Sequence, residues 1–219
     1  AEAKKKTEAG QSDMSLSGAL DVAIIGLSGT YPHANDINSF WKNLSGAQDC
    51  ITEIPGDRWD YRLYFDEDKN TQGKTNSKWG GFIEGVDEFD PLFFKISPRE
   101  AEFIEPQERL FLQCVYQTIE DAGYTRNSLL KGPGCEDSGV RPDPSQGANV
   151  GVFVGVMYEE YQLYGSADST QGDAVALAGN PSSIANRVSY YCNFDGPSMA
   201  IDTMCSSSLT TIHLACRSI

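Results

Sequence analysis

The sequence predicts an α/β fold, in which strands and helices alternate along the chain and pack in layers. Residues 150–156 form a nearly continuous run of valine, glycine and phenylalanine, which is typical of a strand buried on both faces. Ser198–Ile201 is a second short apolar run, and turn residues precede it. A helical pattern follows, with Leu209, Ile212 and Cys216 spaced to share one face. Strand–helix alternation of this kind indicates α/β layering.

The N-terminal region begins with a polar segment. Residues 1–19 are dominated by Lys, Glu, Ala, Gly, Ser and Gln, so we expect a flexible linker or tail there. Residues 21–27 read Asp-Val-Ala-Ile-Ile-Gly-Leu and predict a buried strand.

The next predicted element is a helix over residues 36–44. Asn35 or Asp36 can cap its start, and Gly46 can end it. Residues 60–80 are charged and contain glycine, which predicts a long surface loop.

The clearest helix is predicted over residues 106–122, with a glycine directly after it. Before it, Ser97-Pro98-Arg99-Glu100 is a capping box with proline at the first helical position, which indicates another helix start. Residues 131–149 lack periodicity and predict a mobile surface loop. Asn180-Pro181 caps a helix that is predicted to run through Tyr191. The residues expected to face the core are Leu110, Phe111, Cys114, Val115 and Ile119 in the helix over residues 106–122, and Ile184, Val188 and Tyr191 in the helix that begins at Pro181.

Composition excludes several classes of protein. The 17 basic and 31 acidic residues give a net charge of −14, which argues against a nucleic-acid partner because phosphate binding needs basic surface. Hydrophobic residues make up 40% of the chain, enough for a core, and no apolar run approaches the length of a membrane span. The six cysteines lack zinc-site spacing and suit reduced thiols. With no signal peptide in view, we expect a cytoplasmic protein that binds no metal and no cofactor directly.

Cys205 is the strongest candidate for a functional residue. It lies where the strand that ends near Ile201 gives way to the last helix. A thiol at a helix N-terminus lies near unpaired backbone N–H groups and the positive end of the helix dipole, which favour the nucleophilic thiolate. Met204 and Leu209 add apolar bulk on either side, so we expect a lined pocket rather than an open surface thiol. The alternative is an inert cysteine that fills the core.

The sequence around this cysteine carries a family resemblance. Residues 202–209, Asp-Thr-Met-Cys-Ser-Ser-Ser-Leu, closely resemble the nucleophile motif of the β-ketoacyl synthase (ketosynthase) domains of modular type I polyketide synthases, which belong to the thiolase superfamily. Met204 and the Tyr158-Glu159-Glu160-Tyr161 stretch resemble most the ketosynthases of polyketide synthases that are served by free-standing acyltransferases. The other matching blocks, in the family's order, are residues 21–29, 38–44, 55–59, 78–83, 89–94, 97–101, 106–110, 155–161 and 181–187.

The resemblance implies a thiolase-like fold, in which two similar βαβαβαββ halves form a layered αβαβα core, usually in a homodimer. Residues 20–219 are then most of the first half, truncated after the cysteine helix, and residues 1–19 are a tether to an upstream carrier-protein domain or an expression leftover with a disordered tail. The family's two catalytic histidines lie in motifs that this sequence does not contain. We therefore expect the chain to need the C-terminal half of the ketosynthase, and to be insoluble or molten without it.

The resemblance also implies a reaction. Cys205 takes an acyl group from the phosphopantetheine arm of an acyl carrier protein, and a malonyl-type extender then decarboxylates and condenses with it in polyketide chain elongation. Two alternatives stay open: a non-elongating ketosynthase that only transfers the acyl chain, and an inactive half that acts as a scaffold.

The remaining candidates favour structural roles. His213 lies eight residues beyond the cysteine on the same predicted helix, roughly 12 Å along its axis and too far for a nucleophile–base pair. Asp202 is expected to fix the turn before the cysteine, and residues 206–208 to cap the helix. Met157 and Asn180 belong to blocks that lie near the acyl tunnel in the family, with plain core or cap roles as the alternative.

Overall fold

The structure, a computed structural model, describes residues 21–131, 147–161, 163 and 180–219. The elements of its N-terminal part are α1 Ile37–Ser45, β1 Thr52–Glu53, a 3₁₀ turn at Tyr61–Leu63, β2 Trp79–Gly80, α2 Pro98–Phe103, α3 Pro106–Asp121 and α4 Arg126–Lys131. Those of its C-terminal part are β3 Val152–Gly155, α5 Pro181–Cys192, β4 Ser198–Ile201 and α6 Ser207–Arg217. No helix within these ranges is long and apolar enough to cross a membrane.

The centre of the fold is a β-α-β unit. β3 and β4 are parallel neighbours in the register that places Gly155 opposite Ile201, and α5 connects them in sequence order. Successive side chains of a strand point to opposite faces of the sheet. Val154 belongs to the buried cluster that includes Ile184 of α5, whereas Gly155 approaches the start of α6. The two strands therefore lie between α5 on one face and α6 on the other, which confirms the predicted α/β layering.

The hydrophobic core lies between α3, α5 and β3. Ile104 before α3 and Val188 of α5 are fully buried, and full burial of one such aliphatic side chain stabilises a fold by roughly 1.5–3 kcal/mol. Four aromatic rings extend the core beyond α3, with centroids between 5.0 and 6.5 Å apart. They belong to Phe93, Phe94, Tyr116 and Tyr191.

A buried ionic contact joins α3 to α5. Glu108 is only 1% exposed and accepts hydrogen bonds from Nε of Arg187 and from the hydroxyl of Ser183. Nη1 of Arg187 also lies 3.0 Å from Oε1 of Glu100 in α2. A carboxylate at this depth is stable only when it is paired and hydrogen-bonded. The contact therefore fixes the position of α3 relative to α5.

The helix predictions are confirmed by their caps. Asp36 accepts from the N–H of Ser39 at 2.8 Å and begins α1, which ends at Gly46. The hydroxyl of Ser97 accepts from the N–H of Glu100 at 3.2 Å and begins α2.

The inward face of α3 is only partly as predicted. Leu112, which the spacing argument left out, is the apolar side chain of this helix that the fold buries, at 2% exposure. Of the five predicted residues, Phe111, Val115 and Ile119 pack against the cluster while only partly buried. Leu110 and Cys114 are partly buried as well, but they do not belong to the cluster. In α5 the prediction holds, because Ile184 and Val188 are buried.

Residues 21–27 do not form the predicted buried strand. They have no regular secondary structure, and Ile24 is 85% exposed. The segment is attached to α3, where the N–H of Leu27 donates to Oδ2 of Asp121 at 2.8 Å. A strand needs a neighbour that pairs with its backbone groups, and neither two-stranded sheet of the described ranges includes this segment. The strand prediction is therefore wrong for this structure.

The two predicted loops have different outcomes. Residues 60–80 are largely irregular, apart from the 3₁₀ turn and the two residues of β2, as expected of a long loop. Residues 132–146 of the second predicted loop lie outside the described residues, and so do residues 1–19 of the predicted linker.

Candidate active site

The carboxyl ends of β3 and β4 bring two segments to the same edge of the sheet. Residues 157–160 follow β3 and residues 202–206 follow β4. The N–H of Val156 donates to the carbonyl of Ile201 at 3.1 Å, so the two strands stay paired up to that edge. In parallel α/β sheets, ligand sites form outside the carboxyl ends of the strands. This edge is therefore the candidate site.

Cys205 lies in the turn between β4 and α6, directly before the helix N-cap, Ser206. The predicted position of the thiol at a helix N-terminus is confirmed. The predicted lined pocket is wrong, because Cys205 is exposed, and Met204 and Leu209 are 58% and 75% exposed.

The orientation of α6 explains why this pocket is missing. The face that was predicted to be apolar, with Leu209, Ile212 and Cys216, points away from β3 and is exposed. The side chains buried on α6 are the small residues Ser207 and Thr211. The apolar face of α6 is therefore unpartnered in the described part of the chain.

The turn that carries Cys205 is held by short polar contacts. Met204 has φ +58°, a left-handed conformation that costs a non-glycine residue free energy. Oδ1 of Asp202 accepts from the N–H of Met204 at 2.7 Å, so the predicted role of Asp202 in fixing the turn is confirmed. The hydroxyl of Ser206 donates to the carbonyl of Thr203 at 2.8 Å and does not cap α6. The expected serine cap is therefore wrong for Ser206.

The segment after β3 is fixed by the start of α3. Nε2 of Gln107 donates to the carbonyl oxygens of Met157, at 3.0 Å, and Tyr158, at 3.3 Å. Tyr158 also has a left-handed backbone, with φ +61°, and its ring is exposed. Because the side chain of Gln107 also contacts Glu105 at the N-cap of α3, the strained segment is tied to a helix terminus.

Carboxylates dominate the electrostatics of this edge. Burial raises the pKa of Glu159, and the negative charges of Asp202, Glu105 and Glu160 raise it further. Burial also raises the pKa of Glu105, against the hydrogen bonds from Gln107 that lower it. Oε1 of Glu159 is buried and has no hydrogen-bond partner among the described residues. Burial and the nearby negative charges both make the charged form of Glu159 less stable here than it is in water.

A cleft of about 440 Å³ lies behind the site, between residues 29–30, α3 and β3. Gln107, Cys114 and Gly155 line it, and Cys205 does not. The two residues proposed for an acyl pocket, Met157 and Asn180, are absent from its lining.

Two of the weaker candidates, Asn180 and His213, lie where a structural role is expected. The side chain of Asn180 accepts from the N–H of Ser182 at 3.2 Å, which is the cap role weighed as the alternative. His213 is exposed on α6.

Sequence reasoning missed three residues that support this site, Gln107, Glu108 and Gly155. It gave Ser207 a role in capping the helix, whereas the structure shows bonds from its side chain to Thr203, Met204 and Val156. A usable signal existed for two of the three missed residues. Glu108 is a charge that shares a helix face with Phe111 and Leu112, three and four positions further on. Gly155 is a glycine within a strand, where it often marks a close backbone approach. The side-chain bonds of Gln107 and Ser207 depend on tertiary contacts that spacing does not reveal.

The comparisons with known proteins agree with this arrangement. The family model described as "Beta-ketoacyl synthase, N-terminal domain" matches residues 19–219, and the chain belongs to this family. Its fold is accordingly thiolase-like. The relatives described next are polyketide synthases, so within this family the chain groups with the ketosynthases of polyketide synthases.

Two curated relatives define the similarity. Polyketide synthase PksL of Bacillus subtilis is 63% identical over 199 residues, which are 91% of this chain and 4% of that protein. Polyketide synthase ThaG of Burkholderia thailandensis is 59% identical over 198 residues, 90% of this chain and 3% of that protein. The chain therefore spans only a small fraction of the length of these relatives.

Two solved structures are similar as well. The oxazolomycin ketosynthase domain OzmH KS7 of Streptomyces albus is 48% identical with a TM-score of 0.78, over 90% of this chain and 31% of that one. The ketosynthase from module 6 of the bacillaene synthase of Bacillus subtilis is 35% identical with a TM-score of 0.70. The match covers 89% of this chain and 28% of that one. The chain spans less than a third of each.

Proposed function

We propose that this chain supplies the nucleophile, Cys205, of a ketosynthase that lengthens a polyketide chain. The observation that carries the proposal is the exposed thiol at the start of α6, at the sheet edge where two strand ends meet, in a chain of the ketosynthase family. A nucleophile at the end of a strand and the start of a helix is open to a large substrate while its backbone stays fixed.

The first step is acyl transfer. The sulfur of Cys205 attacks the carbonyl carbon of a thioester carried on the phosphopantetheine arm of an acyl carrier protein, and a new C–S bond forms. The C–S bond to the arm breaks, and the arm leaves as a thiolate that takes up a proton. The backbone N–H of Cys205 is the first donor that we assign to the oxyanion of the tetrahedral intermediate.

The second step is a decarboxylative Claisen condensation. A malonyl-type thioester releases CO₂, and the electron pair of the broken C–C bond becomes an enolate. The enolate carbon attacks the acyl carbonyl on Cys205, a C–C bond forms, and the C–S bond to Cys205 breaks to regenerate the thiolate. In our proposal, the two histidines that assist this step in the family come from the remainder of the ketosynthase, so this chain is active only in its presence.

The exposed apolar surface supports that dependence. Ile24 and Ile25 in the N-terminal run and Leu209 and Ile212 on α6 all present more than half of their surface to solvent. Contiguous exposed apolar surface usually marks an interface. We propose that the C-terminal half of the ketosynthase covers these residues, and that the complete domain forms a homodimer.

The remaining parts of the proposal concern the cell and the partners. The five cysteines of the described ranges are all free, which supports a reducing cytoplasm. The net charge of −14 means that an acidic carrier protein has to dock on a local basic patch or on the rest of the ketosynthase. We also propose that a free-standing acyltransferase loads the extender, as the residues around Met204 suggested.

The experiment that tests the proposal is acylation of the complete ketosynthase with butyryl-N-acetylcysteamine, followed by intact-mass and peptide analysis. We expect one added acyl group on Cys205, no acylation of a Cys205→Ala variant, and normal acylation of a Cys216→Ala variant. Cys216 is the matched control because it is another exposed thiol on the same helix. Absence of acylation in the unmodified protein would contradict the proposal and favour a scaffold.

A second arm separates elongation from transfer. Malonyl carrier protein is added to the acylated enzyme, and the carrier is analysed for a β-ketoacyl product. Formation of the product supports elongation. Acylation of Cys205 without any product identifies a non-elongating ketosynthase that only passes the chain on.

A further inference from the structure

Ser207 connects three parts of the candidate site through its side chain. It is the first residue of α6, two positions after Cys205, and only 5% exposed. Its Oγ accepts from the N–H of Thr203 at 2.9 Å and lies 2.7 Å from the carbonyl oxygen of Met204 and 3.3 Å from that of Val156. A hydroxyl has one proton to donate and can accept as well, so it can serve both sides of the turn at once.

These contacts enclose the strained residue of the turn. Met204, with φ +58°, lies between the N–H of Thr203 and its own carbonyl, and Ser207 binds both. A left-handed non-glycine residue persists only when the structure around it over-determines its conformation. Because Cys205 follows Met204 directly, the conformation of Met204 sets the direction in which the thiol leaves the backbone.

α6 packs so closely on β3 that only small residues fit at the contact between Gly155 and Ser207. A Cβ placed on Gly155 would lie 2.8 Å from the carbonyl carbon of Ser207 and 2.9 Å from the backbone nitrogen of Ser208. Contacts below 3.0 Å are essentially never seen for real Cβ atoms. The start of α6 therefore rests directly on the backbone of β3, where glycine provides the room and serine the polar link.

We propose that Ser207 is a positioning residue for the nucleophile. Its hydroxyl holds residues 203–205 in the conformation that presents the Cys205 thiol and the Cys205 N–H together to a bound thioester. This inference rests on the proposed function of Cys205 as the acylated residue. Ser207 touches neither substrate nor reacting atoms in this scheme, and it acts only through the turn.

The neighbouring Ser208 offers a matched control. It has the same side chain one position along α6, is exposed, and forms no side-chain hydrogen bond within the described residues. The variants are Ser207→Ala and Ser208→Ala in the complete ketosynthase. Each is assayed for acylation by butyryl-N-acetylcysteamine, and for alkylation of Cys205 and Cys192 by iodoacetamide with peptide mass spectrometry.

We expect Ser207→Ala to slow acylation by about ten- to a hundred-fold, because misplacement of a reacting group by 1 Å can cost that much. Alkylation of Cys205 should change less than about threefold, since the thiol stays present and exposed and a small alkylating agent needs no oxyanion alignment. Ser208→Ala should match the unmodified enzyme in both assays. Cys192 is buried, so its alkylation reports any general loss of structure.

The outcomes separate this inference from the proposed function. If the unmodified enzyme is not acylated at Cys205, the proposed function fails. If it is acylated and Ser207→Ala reacts as fast as Ser208→Ala with Cys192 still protected, only the positioning role of Ser207 is overturned. If Ser207→Ala exposes Cys192 to alkylation, the positioning role of Ser207 is tested with a Gly155→Ala variant instead. This variant keeps the Ser207 hydroxyl and shifts the start of α6. Slow acylation of that variant, with Cys192 protected, supports the role, and unchanged acylation overturns it.

Discussion

Two apolar runs of this chain have similar sequences and different structures. Residues 21–27 and residues 150–156 are both rich in valine, isoleucine or leucine and both contain glycine. The second run contains the buried strand β3, with Val154 in the core. The first has no regular structure, and Ile24 is almost completely exposed.

The difference lies in what surrounds each run. β3 has β4 beside it, α5 on one face and α6 on the other. The N-terminal run contacts the end of α3, where a Cβ on Gly26 would lie 2.5 Å from the carbonyl oxygen of Thr118. Close contacts with one helix end do not provide the paired edge that a strand requires. Burial in this chain therefore follows from the neighbours of a segment more than from its own hydrophobicity.

The largest effect is expected from breaking the ionic contact beneath β3. Arg187→Met leaves Glu108 buried without its cation, which should cost about 3–5 kcal/mol of unfolding free energy. The measurement is urea unfolding of the complete ketosynthase. Arg217→Met, at the exposed end of α6, is the control and should change the stability little. A cost for Arg187→Met below about 1 kcal/mol would show that the pair does not support this region.

A somewhat smaller loss of stability is expected from a cavity in the core between α5 and β3. Ile184 is 1% exposed and packs with β3. Ile184→Ala should lower the unfolding free energy by about 3 kcal/mol, and Ile184→Val by about 1 kcal/mol, in the same urea assay. Equal costs for the two variants would mean that the site collapses around the lost atoms and that the packing there is loose.

The third effect depends on pH and is centred on the end of α5. Burial raises the pKa of the Cys192 thiol from 9.0 to about 11. The folded state therefore holds its proton more tightly than the unfolded state does. The contribution of the Cys192 thiol to the free energy of unfolding is fully present below pH 9. It is lost as the pH rises towards 11, by up to about 3 kcal/mol.

The check is the slope of stability against pH with and without this thiol. Cys192→Ala should be less stable at neutral pH because of the lost packing, and its stability should decrease less between pH 9 and pH 11. Burial also raises the pKa of Tyr191, so only the difference between the two slopes belongs to Cys192. Parallel slopes would contradict the assignment.

The sequence predicted those parts of the fold whose cause is local. Capping by Asp36, Ser97 and Asn180 needs only residues a few positions away, and all three helix starts are where the pattern placed them. The place of Cys205 between β4 and α6 follows from the same local pattern. The exposure of Cys205 and of Leu209 could not be predicted in this way, because spacing defines a face of a helix and does not define what lies against it.

The site shows the same limit at the level of single side chains. The bond from Gln107 to Met157 spans 50 residues, and that from Arg187 to Glu108 spans 79. Both form only when α3 packs against the β-α-β unit. A polar residue with a distant partner does not reveal that partner through its spacing, and so these two bonds were found only in the structure.

The smallest effect is expected at the N-terminal run, and it is the sharpest test of the comparison. Ile24→Ala removes atoms that already lie in water. In the isolated chain, under conditions in which the β3 amides are protected, their hydrogen exchange should therefore change less than about threefold, which corresponds to about 0.5 kcal/mol. Ile184→Ala should speed the same exchange by at least about thirtyfold, because about 2 kcal/mol or more is lost. Mass-spectrometric hydrogen exchange measures both. A loss of protection above tenfold for Ile24→Ala would show that the N-terminal run already supports β3. In the complete ketosynthase, where we propose that the C-terminal half covers Ile24, the substitution should become costly, because its lost atoms then leave a buried cavity.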